Sequence, residues 1–147
     1  RRVQHQGTYN ANPAAAAAGV TALRLIAAGG EVERSDAAAA RLVRGLNGLF
    51  ASEGVEGSAW ATSSMWHLNL GTGGVRPTDV EWDLPGEPAG VASALVAPLK
   101  WALFNHGVDL MGTGGMTSSA HTDGDIDATV EAFEAAIGDL RAEGLLR

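Results

Sequence analysis

The sequence predicts an α+β domain in which helices cover a small antiparallel sheet. Two observations carry this. Alanine- and leucine-rich stretches repeat their apolar residues at helical spacing early, midway and at the end of the chain. Between them, residues 57–70 change character to tryptophan, threonine, serine and methionine in partial alternation, the mark of short strands. The expected order is helix, helix, two strands, helix, strand, strand, helix, with no internal repeat.

Asn12-Pro13 marks the first helix start, because Asn caps well and Pro suits the first helical position. The helix should span Ala14–Ala28 and stop at Gly29-Gly30. Only Thr21 and Arg24 interrupt its small and aliphatic residues, so burial on most sides is expected. Ser35 is the expected N-cap of the second helix, with Asp36 at the positive end of its dipole. Ala39, Leu42, Val43, Leu46, Leu49 and Phe50 form its apolar stripe, and Glu53-Gly54 ends it.

Strands follow in Ala59–Thr62 and Met65–Leu70. The glycine- and proline-rich stretch Gly71–Pro88 reads as a loop or insertion. Its Gly71-Thr72-Gly73-Gly74 lacks the ending of a phosphate-binding P-loop and takes no phosphate role. Residues Ala89–His106 read as helical, with Val91, Leu95, Leu99, Ala102 and Leu103 on one stripe and a kink or restart at Pro98. Gly107 suits the helix end. Val108–Met111 and Met116–Ser119 are expected strands around a Gly112–Gly115 loop. Thr122 and Asp125 form a capping box for the last helix, whose apolar face is Ile126, Val130, Phe133, Ile137 and Leu140.

The composition limits the function. At 147 residues, 46% hydrophobic and 18% charged, the chain can bury one core. A net charge of −7 argues against nucleic acid or an anionic membrane as partner. With no cysteine there is neither disulfide nor thiolate metal site, which fits a cytoplasmic protein. No apolar run approaches the roughly 18 residues of a membrane span.

Few residues look chemical. The histidines at 5, 67, 106 and 121 never adopt a metal-ligand spacing, so no metal is expected. Asp123, Asp125 and Asp127 are better read as partners of a helix dipole than as a calcium loop. Lys100, the only lysine, falls on the polar face of a helix and reads as solvated. Gly7-Thr8 offers a backbone N–H and a hydroxyl in one turn, suited to an anion, although an ordinary capped loop has the same look.

Three stretches carry a family resemblance. Gly7-Thr8 ahead of Asn12-Pro13 is one. The others are Leu103-Phe104-Asn105-His106-Gly107-Val108-Asp109-Leu110, and Gly115-Met116-Thr117-Ser118 with Ala120-His121-Thr122-Asp123-Gly124-Asp125-Ile126-Asp127. Together they resemble the C-terminal region of class III, fold-type I pyridoxal-phosphate aminotransferases, especially the glutamate-1-semialdehyde aminomutase group. With a motif in its first ten residues and no initiator methionine, the chain is expected to be the C-terminal piece of a longer protein.

The resemblance implies that residues 1–30 form the interdomain loop and connecting helix, and residues 31–147 a C-terminal small domain. It implies pyridoxal 5'-phosphate as cofactor, a homodimer, a large N-terminal domain as further partner, and a small amino-acid or semialdehyde substrate. Gly7 and Thr8 would contact the phosphate of the partner subunit's cofactor. No catalytic residue is expected in this chain, since the Schiff-base lysine of the family lies upstream. Thr113 stands where aminomutases carry a substrate-facing glutamate, so an ω-amino or aspartate-family aminotransferase is nearly as good a reading. A cofactor-free α+β module that binds another protein is the rival of a different class.

Overall fold

The computed structural model describes residues 7, 8, 10, 12–72 and 90–147. Its elements are α1 (Pro13–Ala28), α2 (Glu31–Glu53), β1 (Gly57–Thr62), β2 (Met65–Leu70), α3 (Ser93–Asn105), β3 (Gly114–Met116) and α4 (Asp123–Ala142). The strands form one antiparallel sheet in the order β1-β2-β3. Helices pack on one of its faces, so the expected α+β architecture holds.

β2 sends Trp66, Leu68 and Leu70 inward, where they meet Leu42, Leu46 and Phe50 of α2 and Phe133, Ile137 and Leu140 of α4 in a single core. Phe133 meets Trp66 edge-on, with ring centroids 6.3 Å apart. α2 and α4 cross closely at Gly45, where an added Cβ would lie 2.7 Å from Val130 Cγ2. Leu95, Leu99, Ala102 and Leu103 carry α3 into the same core.

Several local expectations are corrected. α1 has the expected bounds and its Asn12 cap, whose Oδ1 accepts from the Ala14 and Ala15 N–H groups at 2.9 and 3.1 Å. It is not buried, however, and Leu23 is 67% exposed. Small apolar residues equip a helix for close packing, but among the described elements only α2 lies appreciably against it.

α2 begins at Glu31 rather than at Ser35. The Glu33 carboxylate accepts from the Gly30 N–H at 3.1 Å, capping one turn sooner, and Ser35 donates to the Glu31 carbonyl inside the helix. α3 begins at Ser93 and continues through Pro98, while Val91 makes a parallel bridge to Leu70. Residues 108–110 form no strand; Met111 makes one bridge to Gly114, and the expected 116–119 strand lies instead at Gly114–Met116. The glycines permit this shift because β3 lies tight on β2, with the Trp66 indole beneath Gly115. The loop expected at 71–88 lies outside the described residues beyond Thr72.

Helix ends behave as the glycines suggest. After α2, α3 and α4, a glycine at positive φ (Gly54, Gly107, Gly144) lets the next amide reach back to Phe50, Leu103 and Leu140 respectively, each at 2.9 Å. No single described helix is long and apolar enough to cross a membrane.

Candidate functional site

Gly7 and Thr8 occupy an exposed turn closed by the Asn10 N–H on the Gly7 carbonyl at 3.1 Å. Asn12 is committed to capping α1, which leaves the Thr8 hydroxyl as an exposed side-chain donor of the turn. A turn of this kind can offer an anion a hydroxyl and a backbone N–H.

Thr113 is half-buried in the turn before β3, and its carbonyl accepts from the Leu68 N–H at 3.2 Å. Among the described residues no hydrogen bond joins Gly7 or Thr8 to Thr113. Two cavities of about 430 and 630 Å³ lie at the β1 edge and between α3 and α4, and neither is lined by any of the three.

The charged candidates resolve into structural roles. Lys100 is exposed on α3, with Nζ 3.6 Å from Asp109 Oδ1, a solvated ion pair rather than the desolvated setting that activates a lysine amine. Asp125 accepts from the Thr122 N–H and hydroxyl at 2.7 and 2.8 Å. The backbone bond, then the side-chain bond, holds its carboxyl below the ordinary aspartate range. Asp127 receives Arg41 at 2.7 Å, and Asp123 lies 3.8 Å from the same guanidinium. The bond to Asp127 raises the Arg41 pKa further. His106 pairs with Asp139 at 2.8 Å, and His121 Nδ1 accepts from the Ser118 N–H at 3.0 Å. Among the described residues no cluster of His, Asp or Glu could hold a metal. His5 lies outside them.

Sequence reading missed Asn47. Its amide closes the free edge of β1, donating to the Ala59 carbonyl and accepting from the Ala59 N–H, both at 2.9 Å. Nothing local to Asn47 signals this, since the strand register decides which edge groups lack a partner. It also missed the open face of the sheet, which only strand pairing assembles.

No protein-family profile matches the chain. The glutamate-1-semialdehyde 2,1-aminomutase of Pyrobaculum islandicum is 30% identical over 146 residues, covering 96% of this chain and 32% of its own length. An ω-transaminase from Sphaerobacter thermophilus has the same fold over 95% of this chain and 31% of its own, at a TM-score of 0.73 and 26% identity. A transaminase solved with pyridoxal phosphate bound matches at a TM-score of 0.70 and 23% identity, over 97% of this chain and 31% of its own. The chain thus spans about a third of the length of these relatives. In sequence and in fold, the chain is similar to about one third of an aminomutase and of transaminase chains.

Proposed function

We propose that the chain is the C-terminal small-domain portion of a class III pyridoxal-phosphate-dependent aminotransferase or aminomutase that acts as a cytoplasmic homodimer. The observation that carries this reading is the 30% identity across 146 residues, together with the shared fold. In this reading residues 1–30 link the domains and 31–147 close over the cofactor-bearing large domain. The cofactor supplies the electron sink for amino-group transfer. This chain supplies positioning: the Gly7 backbone and Thr8 hydroxyl hold the phosphate in the partner subunit's site. The exposed turn fits that role, and the chain's one lysine does not fit the covalent one. Thr113, uncharged at the lip of β3, stands beside a small amino-acid or semialdehyde substrate.

The test uses the full-length protein that contains this chain. A hydrogen bond to a charged group contributes about 1.5–3 kcal/mol. Thr8→Val is therefore expected to weaken pyridoxal-phosphate binding by about ten- to a hundredfold, and Thr8→Ser to retain most of it. Titration of the cofactor into all three proteins decides it, and equal affinities would remove Thr8 from the site.

A further inference from the structure

All three methionines of the chain lie on the side of the sheet that the helices leave open. Side chains alternate along a strand, so with Trp66 and Leu68 turned to the core, Met65 and His67 face the other way. The register sets Trp60 opposite His67, His67 opposite Gly114 and Met65 opposite Met116. Met111 bridges Gly114 from its far side. One row across the sheet therefore reads Trp60, His67, Gly114, Met111, with Met65 and Met116 in the next row.

The hydrogen bonds around these pairs bring them close. Thr117 N–H donates to the Ser64 carbonyl at 2.9 Å and Leu68 N–H to the Thr113 carbonyl at 3.2 Å. That pattern makes Met65/Met116 and His67/Gly114 non-hydrogen-bonded pairs, whose Cα atoms lie about 4.5 Å apart with side chains at their nearest. Gly114 must be glycine, since a Cβ would lie 2.3 Å from the Trp66 carbonyl oxygen, and it leaves no side chain between His67 and Met111. Three thioethers thus share one face of the sheet with an imidazole that stacks on Trp60 at 5.5 Å. Met65, Met116 and Met111 are 49%, 58% and 67% exposed, and His67 is exposed with them.

None of these positions carries a carboxylate, so the face has little to offer magnesium or calcium. Thioether and imidazole donors together favour a soft ion. We propose that this face binds one Cu(I) or Ag(I) ion through the sulfurs of Met65 and Met116 and a ring nitrogen of His67, with Met111 as a fourth donor. The ion is taken up and released in the same oxidation state, so no electron moves. The Trp60 ring fixes the plane of the imidazole. The site uses neither Thr8 nor the cofactor, and its Met111–Gly114 turn is the one that carries Thr113.

Titration of the chain with Ag(I), and with Cu(I) kept reduced under anaerobic conditions, tests this by following methionine methyl and histidine ring resonances. One equivalent is expected to saturate the site, shifting the Met65 and Met116 methyls and the His67 ring. Met65→Leu and Met116→Leu should each weaken Ag(I) binding by about tenfold or more, since removing even an outer partner of a metal ligand costs that much. Both substitutions are apolar and exposed, and far-UV circular dichroism of each checks that the fold persists. Absence of saturable binding, unchanged affinity in the Met65→Leu/Met116→Leu double variant, or equal occupancy by Mg(II) would overturn the assignment.

Discussion

At the scale of single residues, Thr122 and Asp125 show how short-range chemistry fixes a helix start. The Asp125 N–H donates to the Thr122 hydroxyl at 3.2 Å, and its carboxylate takes the Thr122 N–H in return. A carboxyl whose pKa is lowered by folding stabilises the native state above its unfolded pKa, near 4, and loses that contribution as pH falls through the lower folded value. The urea midpoint of the chain should therefore fall on acidification more steeply than that of Asp125→Asn, whose amide has no such titration. Parallel pH profiles for the two proteins would exclude Asp125 as a source of acid sensitivity. This pair was legible in the sequence because its partners lie three residues apart. Asn47 and Arg41 were not, because Ala59 and Asp127 reach them only after strands and helices have packed.

At the scale of elements, the contrast between α1 and α2 is instructive. α2 was legible through its apolar stripe, and every member of that stripe is buried or packed against the core. The α1 sequence gave an equally good helix, with the right cap and the right end, but propensity does not say what covers it. A 16-residue helix with no buried residue depends on its own hydrogen bonds and cap, and helices of this length are marginal alone. In the isolated chain, α1 amides are expected to exchange with solvent orders of magnitude faster than those of α2 and α4 around Leu46 and Phe133. Equal protection would mean that α1 finds a cover within the chain or in a second copy. The strands fared as their lengths dictate. The six-residue β1 and β2 carry enough alternation to be read, whereas the three residues of β3, two of them glycine, carry none and are defined by pairing with Met65–His67.

For the whole molecule, the same two-layer logic that made the fold class readable also leaves, among the described residues, the Met65–His67 end of one sheet face and one helix exposed. A sheet needs a helical layer on one side to close a core, and α2, α3 and α4 provide it. Phe133 lies at the centre of that layer, 1% exposed and edge-on to Trp66, so it couples α4 to β2. Replacing it by alanine removes that ring and leaves a cavity, a change that costs about 3–5 kcal/mol in comparable cores. Folded domains retain only about 5–15 kcal/mol in total, so Phe133→Ala should lower the denaturation midpoint of the chain drastically or unfold it. Phe133→Leu keeps most of the volume and should cost markedly less. The order of the two midpoints is the measurement: equal, small losses would show that the helical layer does not close on the sheet through Phe133 and that the core is centred elsewhere.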